Sequence, residues 1–237
     1  MIRILLSLAL LLSQCCTVPQ STGAIAASGG GGATSSWVEQ CANSTTTTTS
    51  PYSCSLPSTV AGNMIVCTVH EHATGAASLS VSDAVNGAYA SYPVATNVTN
   101  NVEVFYVLSG AGGSISPSFA ATNVNRMYMN CGEFHKTSGS FATDGSAGFT
   151  STSTASPTTN TVTTTGSSDV CVTGLADWNA TSASVNSPWT SMGDNTDPPN
   201  GIFPSGRQVA LTAGTYSGAF TLGAAESDWS ATIGCFK

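Results

Sequence analysis

Short apolar runs rich in Val, Ile, Tyr, Phe and Thr recur from Trp37 to Phe236, separated by clusters of Gly, Asn, Pro and Ser. None of them repeats at helical spacing, so the pattern predicts an all-β chain. Strands are expected at Trp37 to Ala42, Tyr52 to Leu56, Asn63 to Glu71, Val102 to Ser109, Ser114 to Ala120, Arg126 to His135, Asp169 to Leu175, Gln208 to Thr212, Tyr216 to Leu222 and Trp229 to Phe236. Met64-Ile65-Val66-Cys67-Thr68-Val69 is apolar at alternate and intervening positions alike, which predicts a central strand covered on both faces. Leu79 to Val85 and Ala88 to Tyr92 flank Asn86-Gly87, a pair that tolerates positive φ at both central turn positions. A two-residue hairpin there pairs Val85 with Ala88 and Val81 with Tyr92.

Ser44 to Ser50 and Thr150 to Thr165 read as hydroxyl-rich loops or exposed edges. Asn179 to Pro204 reads as irregular, because Pro188, Pro198, Pro199 and Pro204 exclude a regular central strand. No duplication at a fixed period stands out. The economical expectation is one antiparallel β-sandwich, jelly-roll or Ig-like, of about ten strands.

Met1-Ile2-Arg3 followed by the apolar run Ile4 to Leu12 has the form of a secretory leader, too short to span a bilayer. Residues 1–26 are assigned to the leader, 27–35 to a Gly/Ser/Ala-rich linker and 36–237 to the sandwich. Leu12-Ser13-Gln14-Cys15 resembles a lipid-attachment site, with Gln14 ill-suited to it, so a lipid anchor at Cys15 is the less favoured alternative. The expected location is outside the cell or on its surface.

That location changes the meaning of the cysteines. Cys41, Cys54, Cys67, Cys131, Cys171 and Cys235 form an even set downstream of the leader, and oxidising compartments let disulfides persist. Cys41 and Cys54 flank the threonine loop and are expected to pair. Three pairings of the other four remain open.

Only 7% of residues are charged, with five Lys and Arg against twelve Asp and Glu. No basic surface exists to neutralise phosphates, which argues against nucleic-acid binding. Candidate chemistry is correspondingly sparse. His70 and His72 alternate on one strand and Glu133 and His135 on another, a spacing that places two ligands on one face and, if the strands were neighbours, would assemble a zinc or copper site. Asp194 and Asp197 offer oxygen ligands, for which calcium is the candidate ion. Trp178 and Trp189 are candidates for stacking on sugar rings.

The blocks Ala61-Gly62-Asn63-Met64-Ile65-Val66, Ser82-Asp83-Ala84-Val85-Asn86-Gly87-Ala88-Tyr89 and Asp228 to Lys237 resemble a β-sandwich domain of secreted, largely uncharacterised bacterial surface proteins. The internal cysteines depart from that likeness, since such strands usually hold aliphatic residues there. The resemblance implies the fold and brings no catalytic residue with it. The functional expectation is a non-catalytic structural or adhesive domain without a cofactor, meeting an extracellular glycan or another surface protein. The alternative is a carbohydrate-binding module using exposed tryptophans and calcium.

Overall fold

A computed structural model describes residues 33–237 apart from 43–46, 74–76, 94, 98, 151 and 194–200. The first half of the described chain forms β1 (Ser35–Ala42), β2 (Tyr52–Ser53), β3 (Leu56–Thr59), β4 (Met64–Ala73), β5 (Leu79–Asp83), β6 (Gly87–Ala88), β7 (Ala90–Ser91), β8 (Ala95–Thr96), β9 (Asn100–Val107), β10 (Gly113–Ile115), β11 (Ser118–Ala121) and β12 (Val124–Lys136). The second half forms β13 (Thr143–Thr150), β14 (Val162–Thr164), β15 (Asp169–Asp177), β16 (Ala183–Val185), β17 (Thr190–Gly193), β18 (Ser205–Leu211), β19 (Gly214–Tyr216), β20 (Phe220–Leu222) and β21 (Trp229–Phe236). No helix is present among the described residues, and thus none long and apolar enough to cross a membrane. The first strand begins at Ser35, inside the segment the sequence assigns to a linker.

The all-β expectation holds, while the single ten-strand sandwich gives way to two stacked principal sheets. One has the order β1-β12-β4-β9-β7, with β8 also on β9; the other has the order β13-β21-β15-β18-β17. All their pairings are antiparallel. Their facing surfaces share a core in which Met64, Val66, Val104 and Phe134 meet Val170, Val172 and Phe236. Each principal sheet is covered on its outer face as well. Val81, Ile115 and Phe119 pack on the first with Cys67, Val69 and Met129, whereas Phe220 and Leu222 pack on the second with Leu175 and Trp229. Residues pointing to either side of β4 and β15 are therefore buried throughout. The two-sided apolar run in β4 follows directly from that layering.

The strand orders are the same, and the absence of an internal repeat is the second expectation to be corrected. A shift of 104 positions carries Cys67 onto Cys171 and Cys131 onto Cys235. It also carries the pairing Ile65 with Val107 onto Asp169 with Leu211, and Cys41 opposite Cys131 onto Gly145 opposite Cys235. The accessory pairs correspond too, β3 with β10 answering to β14 with β19, and β5 with β11 answering to β16 with β20. The chain is a tandem repeat whose two copies face one another.

Three disulfides complete it. Cys41 bonds Cys54, as the loop spacing predicts, and the open pairings resolve to Cys67 with Cys131 and Cys171 with Cys235. Each of the latter two joins directly opposed residues on neighbouring inner strands, β4 with β12 and β15 with β21.

The hairpin register differs from expectation. Asp83 pairs with Gly87 and Ser82 with Ala88, so Ala84-Val85-Asn86 forms the connection and Val85 is half exposed. The Asp83 carboxylate decides this, accepting the backbone N–H of Val85 at 2.6 Å and of Asn86 at 2.7 Å, and the Tyr89 hydroxyl at 2.6 Å. Tyr92 instead turns into the space between the principal sheets and donates to the Cys235 carbonyl at 2.6 Å.

Candidate functional site

His70 and His72 lie on the face of β4 that meets the second sheet. Glu133 and His135 lie on the opposite face of β12, in line with Cys131. His70 is paired with Tyr128, and the seven residues from there to His135 span roughly 23 Å of strand. The four do not converge, and the zinc or copper arrangement is overturned by strand register. Glu133 serves locally instead, its Oε1 accepting the Val60 N–H and the Asn63 side-chain amide, each at 2.6 Å. His135 Nδ1 meets Asn63 Oδ1 at 2.9 Å. The sulfur atoms of Cys41, Cys54 and Cys131 cluster within 4.8 Å of one another, and all three are committed to disulfides.

His70 is fully buried between the sheets, flanked by Tyr128 at 5.8 Å and Phe203 at 5.7 Å between ring centroids. Its Nε2 meets the Ser205 hydroxyl at 3.0 Å, which also contacts Thr68 Oγ1 at 2.7 Å and accepts from the Asn130 amide at 3.0 Å. Burial pushes the imidazole pKa down to about 3 against the opposing influence of the Leu175 backbone, so the ring is neutral at physiological pH. This cluster ties the two repeats together.

At one end of that interface His72 stacks on Trp178 with centroids 4.1 Å apart and planes 9° from parallel. His72 Nδ1 contacts Asn100 Oδ1 at 3.3 Å, and the Asn100 amide donates to the Asp228 carbonyl at 2.8 Å. Thr99 donates to the Asp228 carboxylate at 3.0 Å. Nearby Asp177 is raised to about 6 by burial, while its Oδ1 accepts the N–H groups of Asn179 and Ala180 at 2.8 and 2.9 Å.

Trp178 and Trp189, the candidates for stacking on sugar rings, lie in separate neighbourhoods. Trp178 is half-buried against His72, whereas Trp189 is buried beside Cys171 and Cys235 and donates its indole N–H to the Ser217 carbonyl at 3.1 Å. Roughly 20 Å of β15 separates those neighbourhoods. Asp194 and Asp197 lie outside the described residues.

Two residues not singled out by sequence meet at the seam between the sheets. Arg207 of β18 lies over the Trp37 ring of β1, its guanidinium carbon 3.7 Å from the ring centroid. Trp37 is held edge-on by Phe134 at 5.1 Å. A cavity of about 280 Å³ opens beside them, lined also by Pro188, Thr190, Gln208 and Val209. Desolvation lowers the Arg207 pKa to about 10, leaving it charged. An isolated tryptophan and an isolated arginine 170 positions apart carry no shared sequence signal.

Comparison of the chain with protein-family models, curated proteins and solved structures finds no match.

Proposed function

We propose that the chain is an exported, non-catalytic structural or adhesive domain that holds its shape under tension at or outside the cell surface. The observation that carries this reading is the placement of the two disulfides of sequence separation 64, each locking neighbouring inner strands of one principal sheet. Together with Cys41–Cys54 they put most of the chain between Cys41 and Cys235 inside closed loops, which a pulling force on the ends cannot extend. The persistence of disulfides supports an oxidising location. A sparsely charged surface of hydroxyls and amides supports contact with another surface protein or an extracellular glycan through many weak hydrogen bonds in place of ion pairs.

Single-molecule pulling from the two ends of the described domain tests this. Reduction should lengthen the chain by roughly 220 Å for each of the two loops of separation 64 at 3.4 Å per residue, and the oxidised protein should withstand the higher force. Labelling of intact cells should find the domain accessible from outside. An oxidised domain that opens no less easily than the reduced one, or a domain confined to the cytosol, sinks the reading.

A further inference from the structure

We propose that the Trp37–Arg207 cleft is a binding site for an acidic saccharide, recognised through a single carboxylate. This goes beyond the mechanical reading and stands independently of it. The repeat relation sets an expectation at this place. On β9 the residue opposite Thr68 is Val104, fully buried between the sheets; on β18 the residue opposite Val172, the counterpart of Thr68, is Arg207. The 104-residue shift alone matches Arg207 to Glu103, but the register shift between Asp169 and Cys171 sets Arg207 opposite Val172, so a cation stands at the cross-strand place where the other copy holds the apolar Val104. The described domain holds only four Lys or Arg side chains, so its placement is costly and specific.

Among the described residues the guanidinium is partly desolvated without a countercharge. Its only hydrogen bond among the described residues is from Nη1 to the Ser191 carbonyl at 2.7 Å, and no carboxylate among them reaches it. Arginine carries five N–H donors in a planar fork that matches a carboxylate. Stacking on Trp37 fixes the plane of that fork, which limits the ordering cost when an anion docks. Among the described residues the remaining donors are thus held in position and unspent.

The cavity sets the size and kind of ligand. At about 280 Å³ it lies just below the ~300–1,000 Å³ usual for small-molecule sites, which suits a single sugar unit. Thr190 and Gln208 supply a hydroxyl and an amide beside the cation, and Pro188 supplies an apolar wall. A hydroxylated ring bearing one carboxylate, such as a uronic acid, matches that set. Because Arg207 already covers the accessible ring of Trp37, recognition rests on the charge and not on sugar stacking. The formal net charge of -7 further selects against long polyanions and for an isolated acidic unit.

Amide chemical-shift titration of the oxidised domain with glucuronate provides the test, with glucose, methyl glucuronate and a carboxylate-terminated dipeptide as comparison ligands. Saturable shifts at residues 188–190 and 207–209 and at the Trp37 indole are expected with glucuronate, at least tenfold weaker binding with glucose or the methyl ester, and competition by acetate. Arg207→Gln should abolish binding, while Arg207→Lys, which keeps the charge and loses the fork, should weaken it about tenfold. Both variants are read only alongside a dispersed, native-like spectrum, and Gln208→Ala provides a milder probe of the same wall. No saturable glucuronate response in the wild type overturns the proposal. So does binding retained by folded Arg207→Gln, equal binding of glucose, or tighter binding of the dipeptide, which would mark a peptide-carboxylate site.

Discussion

The two repeats share strand order, the register of their disulfide-linked inner strands and a buried disulfide, yet they fill the space between them unequally. The first contributes bulk where the second contributes glycine. His70 and Gly174 occupy corresponding positions and touch, for a Cβ on Gly174 would lie 2.9 Å from His70 Cε1. Tyr92 likewise covers Gly234, where an added Cβ would approach its ring to 2.6 Å. Two identical faces would either clash or leave voids at such places. Divergence into a large-and-small pair lets one copy insert into the other, which is how duplicated sheets come to fit only in the order seen here.

The largest test of the repeat relation removes one disulfide from each copy. Cys67→Ala/Cys131→Ala and Cys171→Ala/Cys235→Ala open loops of equal length, so each pair of substitutions should cost about 4 kcal/mol by loop entropy. Removal of Cys41–Cys54, which has no counterpart in the second repeat, should cost nearer 3 kcal/mol. Urea denaturation checks all three, and a gap above about 2 kcal/mol between the first two would break the equivalence.

Gly174→Val should cost about 2–3 kcal/mol by overpacking against His70. His70→Ala in the same chain should recover more than half of that loss. Additive losses in the double variant would show that the two residues do not share the space.

Acid sharpens the contrast between copies. His70 has its folded pKa lowered to about 3, so its contribution is fully present above the unfolded value of 6.5 and is lost as pH falls. Glu71 is raised to about 7 and Asp177 to about 6, both by burial, and they act in the opposite sense, favouring the fold as pH falls towards their unfolded values of 4.5 and 3.8. Replacing His70 by Gln should therefore improve stability at pH 5 relative to pH 7 by about 2 kcal/mol compared with the wild type. Denaturant midpoints at the two pH values measure it, and parallel profiles would remove His70 from the acid response.

The smallest effects compare Glu133 with its counterpart Lys237. Glu133 is fully buried and holds two donors, so Glu133→Ala should cost about 2 kcal/mol. Lys237 makes an ion pair at 3.3 Å to the nearly buried Asp144 carboxylate with its own side chain exposed, and Lys237→Ala should cost about 1 kcal/mol. Reversal of that order in thermal denaturation would contradict the burial difference.

Local signals in the chain report the strands faithfully wherever apolar residues crowd them. The two-faced run of β4 and the Cys41–Cys54 staple are visible without coordinates. Strand β13 is not, because Thr143-Asp144-Gly145-Ser146-Ala147-Gly148 has weak strand preference and is ordered by its pairing with β21. The duplication is masked for a related reason. A sheet asks for alternation more than identity, and the inner faces have diverged towards complementarity, so what survives the shift is the cysteines, Gly62 with Gly166, Val66 with Val170, Val81 with Val185, Gly110 with Gly214 and a scatter of Ser, Thr and Ala. The histidine pattern misleads because spacing of two fixes a face but not which strand lies opposite. Trp37 and Arg207 meet only through long-range packing.

Strand β21 occupies an inner place in its sheet, between β13 and β15. During synthesis the first repeat can complete its own sheet while β21 is still inside the ribosome or translocation channel. Until residues 229–236 emerge, the second sheet lacks an inner strand, and Met64, Val66, Val104 and Phe134 have only an incomplete partner surface to cover them. Biogenesis of this domain thus includes a stage with one finished sheet and an incompletely covered apolar face, and holding factors that recognise that face would govern its yield.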